Sequence, residues 1–217
     1  MKNKFIKTSL ISSLLILSIS VFWFFSYKNL NATIHFIDSN FIADFDNDKK
    51  VLGASDNVFV WRITENLWLA EVKEWESKIP STLFNVEVIY NIKWKVKWVI
   101  IVKQEAGYDR FWDLYIPEGT QYMEEWQTYL LATIGDSFTI ISHHNGSHLL
   151  DLDSKKSKTE IRELLKNNQK IKDWRNAYIG EEIYENGYKI SSEKNLYKNL
   201  SQKEKDNFEN IENGFVK

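Results

Sequence analysis

Three histidines in the second half of the chain are the clearest candidates for chemistry. His143, His144 and His148 lie within six residues of one another, around the pair Asn145 and Gly146. Imidazole nitrogens are common ligands of zinc, copper and nickel, so these histidines are the candidate metal ligands of the sequence. Adjacent histidines in a strand point to opposite faces, however, and no acidic partner follows at a fixed spacing. A plain turn built on Asn145 and Gly146 is the competing interpretation.

Three carboxylates in one connection form a second candidate set. Glu105, Asp109 and Asp113 lie close to the aromatic residues Tyr108 and Phe111. A pair of carboxylates can act as acid and base in glycoside hydrolysis, but acidic residues in a loop between strands are usually only solvated. The chain has no glycine-flanked serine on a strand-turn-helix, no phosphate loop and no dinucleotide fingerprint. We therefore assign no catalytic and no cofactor-binding residue, expect no cofactor, and rank a metal-dependent or hydrolytic enzyme below a binding function.

The composition limits the class of protein further. The chain has 217 residues with 43% hydrophobic and 27% charged residues, which fits one domain of ordinary size with appendages. It contains no cysteine, which excludes disulfides, thiolate zinc sites and cysteine nucleophiles. The formal net charge is -2, so there is no electrostatic reason to expect nucleic acid as a partner.

The amino-terminal residues have the pattern of a membrane anchor. Residues 8–27 are uncharged and mostly apolar, long enough to cross a bilayer core of about 30 Å as a helix. Three lysines precede them: Lys2, Lys4 and Lys7. By the positive-inside rule these lysines place the amino terminus in the cytoplasm. No small-x-small cleavage site follows Phe25, so we expect residues 1–28 to be a single-pass anchor in the cell membrane, with secretion after signal cleavage as the alternative.

Residues 54–150 have the pattern of an all-β domain. Five segments have strand-like composition: 58–63, 83–92, 98–102, 128–134 and 138–142. The second segment alternates most cleanly and should place five apolar residues on one face: Phe84, Val86, Val88, Tyr90 and Ile92. Gly135 and Asp136 separate the last two segments as the loop of a hairpin. We expect a mainly β fold. The preferred architecture is a five-stranded OB-like β-barrel, and the alternative is an immunoglobulin-like β-sandwich.

The segments on both sides of the β domain are predicted from composition. Residues 29–53 are polar with scattered aromatics and are expected to be a linker. Within 151–180, Ser157 and Glu160 have the spacing of a capping box, and the apolar residues that follow predict one helix near 158–172. Residues 181–217 are rich in Lys, Glu, Asn and Ser, and we expect a polar, mobile tail.

Tryptophan is unusually frequent relative to glycine. The chain has 9 tryptophans and 8 glycines, whereas average glycine usage of about 7% would give about 15 glycines. Trp75, Trp94 and Trp126 lie in charged, turn-like contexts where glycine is the usual residue. Some bacterial lineages read the UGA codon as glycine, whereas a common alternative table reads it as tryptophan. We therefore expect glycine in the organism at most of these positions: Trp61, Trp68, Trp75, Trp94, Trp98, Trp112, Trp126 and Trp174.

Two other interpretations of the tryptophans stay open. They are genuine core residues, above all Trp61 and Trp98, which lie in predicted strands. Alternatively, their faces form a platform for sugar rings, which would make the domain a carbohydrate-binding module. The codons at these positions distinguish the glycine interpretation from both alternatives.

A family resemblance emerges when glycine is read at positions 61, 94 and 126. The segments that carry it are Ala54–Ile63, 84–94, Val99–Gln104 with Gly107, and 126–131. They resemble a family of uncharacterised bacterial cell-surface proteins over residues 54–150. More remotely, the order of strands and glycines is similar to the OB-like barrel of tissue metalloprotease inhibitors and netrin modules. Those inhibitors depend on disulfides and an amino-terminal cysteine, which this chain lacks, so the resemblance does not imply inhibition.

The expected function follows from the anchor and the β domain. We expect a non-enzymatic envelope or surface module outside the membrane that binds a protein or a cell-wall polymer. Small β-barrels bind through an open face or through their loops. The two longest connections, 64–80 and 104–126, are therefore the predicted binding loops.

Overall fold

The structure is a computed structural model. It describes residues 33–37, 47–67, 80–93, 99–109, 112–153, 155–185 and 195–216, together with Ser18, Phe45, Tyr188 and Lys189. The predicted anchor at residues 8–27 lies outside the described residues apart from Ser18. Within the described part of the chain, no helix combines the length and the apolar character that crossing a membrane requires.

Five strands close into a barrel. They are β2 (Asn57–Asn66), β3 (Thr82–Lys93), β4 (Val99–Gln104), β7 (Thr128–Ile134) and β8 (Thr139–Ile140). Their order is β2-β3-β4-β8-β7, and β7 pairs back with β2 to complete the closure. The β4–β8 pair is parallel, and the other four are antiparallel. The sequence prediction of five strands is confirmed, and of its two architectures the barrel is the one that forms.

A β-bulge divides β3 into two halves that face different surroundings. Val60 of β2 pairs with Tyr90, but Trp61 pairs with Val88, which leaves Ile89 as an extra residue on β3. An extra residue reverses the alternation of the side chains that follow it. Apolar residues up to Val88 therefore point into the barrel, whereas Tyr90 and those after it pack outside it. The predicted single apolar face of this strand was wrong beyond Val88.

The remaining strands lie beside the barrel. β1 (Ile34–Ile37), β6 (Leu114–Pro117) and β5 (Gly107–Tyr108) form a three-stranded side sheet in the order β1-β6-β5. β9 (Ser147–Leu150) pairs with β7, on the same edge of that strand as β8. β10 (Tyr184–Glu185) pairs with β11 (Tyr188–Lys189). The predicted binding loop 104–126 thus contains two strands, and both belong to the side sheet.

In the described part of the chain, four helices pack around the barrel. They are α1 (Asp48–Ala54), α2 (Lys158–Asn167), α3 (Gln169–Ile179) and α4 (Gln202–Glu209), followed by a short 3-10 helix (Ile211–Gly214). The capping box of Ser157 and Glu160 is confirmed at the start of α2. The single helix predicted at 158–172 was wrong, because Asn168 leaves the helical conformation at ψ 124° and caps the next helix by accepting the Ile171 N–H.

The fold has two apolar cores that share the barrel wall. The core inside the barrel contains Phe59, Trp61, Ile63, Phe84, Val86, Val88, Val102, Tyr129 and Leu131. The second core lies between the outer barrel surface and the helices. It contains Val58, Val60, Tyr90, Leu130 and Ala132 from the strands and Val51, Leu52, Ile161, Leu165, Ile171, Trp174 and Tyr178 from the helices. Because β2 and β7 are buried on both faces, their sequences are nearly continuous apolar runs.

The flanking segments are more structured than their composition indicates. The predicted linker 29–53 contains β1 and most of α1, whose Val51 and Leu52 are fully buried. In the predicted polar tail, residues 195–216 pack against the barrel and helices, with Tyr197 and Val216 each only 9% exposed. Phe215 forms a bridge to Tyr90, and the Val216 N–H donates to the Ile89 carbonyl at the bulge. The described tail is therefore packed against the barrel wall at the bulge of β3.

Candidate functional site

His143 and His144 lie in the segment between β8 and β9. Their rings are 4.0 Å apart between centroids and inclined by 36°. The Asn145 N–H donates to His143 Nδ1 at 3.1 Å, and the Gly146 N–H donates to the His143 carbonyl at 2.7 Å. A Cβ on Gly146 would lie 2.4 Å from the carbonyl oxygen of Ile141, so only glycine fits there. These contacts are those of the turn that the sequence offered as the alternative to a metal site.

His148 is turned away from the other two histidines toward the helices. Its ring contacts Trp174 of α3 edge-on, with 5.3 Å between the centroids. Its Nε2 is buried and has no hydrogen-bond partner among the described residues. Burial, with a smaller contribution from the Lys170 ammonium, lowers the pKa of His148 from 6.5 to about 4. His148 is therefore a neutral packing residue at pH 7.

The three histidines do not converge on one point. His144 and His148 line a surface cleft of about 300 Å³, together with Gly119, Thr120, Gln121, Ser147 and Leu149. His144 is exposed there, while the free nitrogen of His148 is covered. Across the described part of the chain, no three His, Asp or Glu side chains are arranged to hold a metal ion.

Two of the three candidate carboxylates, Asp109 and Asp113, stabilise the side sheet. The Asp113 N–H donates to Asp109 Oδ1 at 3.0 Å, which fixes the turn before β6. Asp113 Oδ1 accepts the Thr33 N–H at 3.0 Å, and its Oδ2 lies 3.6 Å from His35 Nε2. Glu105 instead pairs with a lysine of β4 at 3.7 Å. Asp113 thus joins β1 to β6, and Asp109 fixes the turn that precedes β6.

The two predicted binding loops meet at one end of the barrel, which we call the loop end. Asn66, at the start of the 64–80 connection, donates its N–H to Glu125 at 2.8 Å and its side-chain amide to Tyr122 at 3.1 Å. Both partners belong to the 104–126 connection. Residues 68–79 lie outside the described residues. The described parts of both connections therefore form one continuous surface.

A cluster of aromatic side chains lies under the surface of the loop end. Tyr122 packs edge-on against Tyr108, with 5.3 Å between ring centroids, and contacts Phe84 of the barrel interior at 6.0 Å. Tyr108 also contacts Trp112 at 6.3 Å. Aromatic side chains combine a large apolar surface with hydrogen-bonding groups, a combination common in binding surfaces.

Two tryptophans have the backbone conformation of glycine. Trp112 has a φ of 70° and Trp126 a φ of 67°, the left-handed region that glycine occupies readily and other residues rarely. Their side chains are 40% and 54% exposed. A bulky residue at positive φ with a half-exposed ring has less packing to offset the backbone strain than a core tryptophan has. These two positions fit glycine better than tryptophan.

Trp61 and Trp174, in contrast to Trp112 and Trp126, are core residues. Both are fully buried, Trp61 inside the barrel and Trp174 between α3 and the barrel wall. Their indole N–H groups have no hydrogen-bond partner among the described residues. The other tryptophans in question lie outside the described residues: Trp68, Trp75, Trp94 and Trp98.

A buried ion pair was not anticipated from the sequence. Lys93 Nζ donates to Glu181 Oε2 at 2.8 Å and to the Leu52 carbonyl at 2.6 Å. The two side chains are 2% and 0% exposed. Burial lowers the pKa of Lys93, and the nearby Glu181 carboxylate opposes this shift. The only signal in the sequence is a lysine directly after an apolar strand, because its partner lies 88 positions away.

The architecture is a closed five-stranded barrel with helices packed on part of its outer wall and a side sheet next to its loop end. Comparison of the chain with protein-family models, curated proteins and solved structures finds no match.

Proposed function

We propose that this protein is a membrane-anchored, extracytoplasmic binding module of the cell envelope without enzymatic activity, whose ligand is a protein or a wall polymer. One observation carries the proposal. The connections 64–80 and 104–126 are joined at the loop end through Asn66, Tyr122 and Glu125. Loops held by a rigid barrel are the usual place for binding surfaces in small β domains.

The strand order supports the finer assignment to an OB-like barrel. A five-stranded Greek-key barrel in which only β4 and β8 pair in parallel agrees with that architecture. The resemblance to bacterial cell-surface proteins and, remotely, to netrin modules adds to this support. The apolar residues 8–27 supply the anchor in the same proposal.

The topology can be tested with single cysteines, because the natural chain has none. Ser137 is exposed in the turn between β7 and β8, and Asn3 precedes the apolar segment 8–27. In intact cells we expect a membrane-impermeant maleimide to label Ser137→Cys, and to label Asn3→Cys only after lysis. Labelling of Asn3→Cys in intact cells, or protection of Ser137→Cys, would contradict the proposed orientation.

Binding can be tested by sedimentation of the full chain with isolated cell walls and by capture of envelope proteins. Glu65→Arg with Glu124→Arg reverses two exposed charges at the loop end. The control is Asp136→Arg with Ser137→Arg, which also introduces two exposed arginines, but in the turn between β7 and β8 at the opposite end of the barrel. We expect the first pair to reduce binding by at least about tenfold and the control to preserve it. Equal binding by both double variants would place the binding surface elsewhere.

Carbohydrate recognition is a second candidate, favoured by the exposed rings of Trp112 and Trp126. If they stack on sugars, Trp112→Gly with Trp126→Gly should weaken binding to wall polysaccharide by at least about tenfold, since ring stacking contributes strongly to such contacts. Unchanged binding would remove this candidate and leave the loop end as the proposed surface.

A further inference from the structure

We infer that the exposed face of β1 docks on the lipid bilayer and so fixes the orientation of the barrel above the membrane. This inference rests on the proposed anchor at residues 8–27. The docking face consists of Ile34 and Phe36. The occupant is the interface between lipid headgroups and acyl chains.

The first argument is the exposure of these two side chains. Phe36 is 66% exposed, the largest exposed fraction of any large apolar side chain in the described part of the chain, and Ile34 is 55% exposed. They are two residues apart in a strand, so they point to the same face. His35, between them, points to the other face and stacks on Tyr115 with 4.6 Å between ring centroids.

The second argument is the position of β1 in the side sheet. Among the described residues β1 pairs only with β6, so it is the outer strand of that sheet. The strand is held firmly, because Thr33 donates its N–H to Asp113 and accepts the N–H of Leu114 at 2.9 Å. Ile34 and Phe36 are therefore exposed on a rigid element.

The third argument is the distance from the anchor. Six residues, 28–33, separate the apolar segment from Ile34. Residues 27 and 34 are therefore seven residue steps apart, and at about 3.5 Å per step the chain between them spans at most about 25 Å. The interface on each side of the hydrocarbon core is several ångströms thick, so the anchor already holds β1 close to it. A tether this short gives a high effective concentration, and even a weak interaction is then populated.

The apolar side chains of the docking face suit insertion into the membrane interface. Amphipathic elements that lie in the membrane plane insert aliphatic and aromatic side chains about 5–10 Å into the boundary between headgroups and acyl chains. Trp112 is exposed near the anchor-proximal end of β1, but its backbone conformation fits glycine. The inference therefore depends on Ile34 and Phe36 and holds for either residue at position 112.

The test uses the full chain in phospholipid vesicles with one cysteine-linked fluorophore at a time, at position 34, 35 or 36. Lipids with a nitroxide near the headgroup quench a fluorophore in the interface. We expect quenching at 34 and 36 to exceed that at 35 by at least about threefold, because only one face meets the lipid. A smooth decline from 34 to 36 would show a tethered domain that is not docked and would overturn the inference.

A label at Ser18→Cys separates this inference from the proposed anchor. Quenching at 18 without alternation at 34–36 would contradict the docking of β1 and support the anchor. Absence of quenching at 18 would contradict both the anchor and the docking. Labels at 34 and 36 that are shielded from water only at high protein density, without lipid quenching, would identify a second copy of the chain as the partner and overturn the docking on lipid.

Matched variants complete the test. Ile34→Ser should reduce quenching of a label at position 36 by at least about threefold, because the label already replaces Phe36 and the substitution removes the other apolar side chain of the docking face. Leu149→Ser also removes an exposed aliphatic side chain, 46% exposed on β9, and should leave that quenching unchanged. Equal effects of the two substitutions would contradict a specific role for β1.

Discussion

The four tryptophan residues that the structure describes divide into two classes, and only one class suits the positions that it occupies. Trp112 and Trp126 combine a positive φ with an exposed ring, whereas Trp61 and Trp174 fill the two cores. The left-handed conformation costs an ordinary residue roughly 1–2 kcal/mol and glycine almost nothing. The hypothesis that UGA codons are read as glycine in the organism is therefore strongest at positions 112 and 126.

Trp126→Gly should stabilise the protein. We expect a gain of about 1 kcal/mol in the free energy of unfolding, since relief of the positive φ exceeds the loss of a half-exposed ring. Trp61→Gly is the control and should cost at least about 3 kcal/mol, because it empties the barrel core. Denaturant unfolding measures both variants. Destabilisation by Trp126→Gly, or a UGG codon at that position in the gene, would count against the glycine hypothesis.

His148 should make the protein sensitive to mild acid. Its pKa is about 4 in the folded state and 6.5 when unfolded. Below pH 6.5 the unfolded chain binds a proton that the folded chain does not, so stability is full above this pH and falls toward pH 4. The loss attributable to this residue is at most about 3 kcal/mol.

His148→Phe should reduce this dependence while preserving the edge-on contact with Trp174. Measurement of the unfolding free energy at pH 7 and pH 4.5 should give a smaller difference for the variant than for the natural protein. His144→Phe, at an exposed position, is the control and should change the difference much less, because His144 is only the smallest contributor to the lowered pKa of His148. The same pH dependence in all three proteins would show that other groups are responsible.

At the scale of elements, the sequence predicted correctly those strands, caps and turns that depend on residues close together in the chain. The five barrel strands, the capping box at Ser157 and the hairpin around Gly135 all follow from short-range periodicity or turn chemistry. The bulge at Ile89 could not be predicted, since it is defined by the register between two strands. The second helix was missed because Asn168 both ends α2 and caps α3.

The candidate site was less predictable than the fold. The contact between the two long connections depends on single hydrogen bonds from Asn66 to residues more than fifty positions away. The histidines are close in sequence, but His148 packs against Trp174 of α3. Proximity along the chain indicates a shared site only when the backbone points the side chains the same way.

The buried pair of Lys93 and Glu181 joins three elements and should respond strongly to removal of one partner. It connects the end of β3, the carbonyl of Leu52 at α1 and, through the Leu196 N–H on Glu181, the carboxy-terminal segment. Glu181→Ala leaves a buried ammonium without its counter-charge and should cost about 3–5 kcal/mol. Lys93→Met with Glu181→Leu removes both charges and should cost less than the single substitution. A double variant as unstable as Glu181→Ala would contradict this account.

At the scale of the whole molecule, the carboxy-terminal segment is part of the folded unit. Arg162 of α2 donates to the carbonyl of Val216, and Arg175 of α3 donates to the carbonyl of Phe208 and to the Tyr90 hydroxyl. These contacts hold the segment against the bulge of β3. Composition could not reveal this packing, because the segment has few apolar residues, spaced widely along a polar sequence.

Ending the chain at residue 194 should therefore destabilise the barrel. The truncation removes Tyr197 and Val216 from the two cores, and each buried apolar side chain of this size contributes about 1.5–3 kcal/mol. We expect a loss of at least about 3 kcal/mol and a clearly lower unfolding temperature. If the truncated chain does not fold, Tyr197→Ala tests the same contact, with Lys203→Ala on the exposed side of α4 as its control. An unfolding temperature that neither truncation nor Tyr197→Ala changes would support the mobile tail that the composition predicts, because a segment that contributes packing cannot be removed without cost.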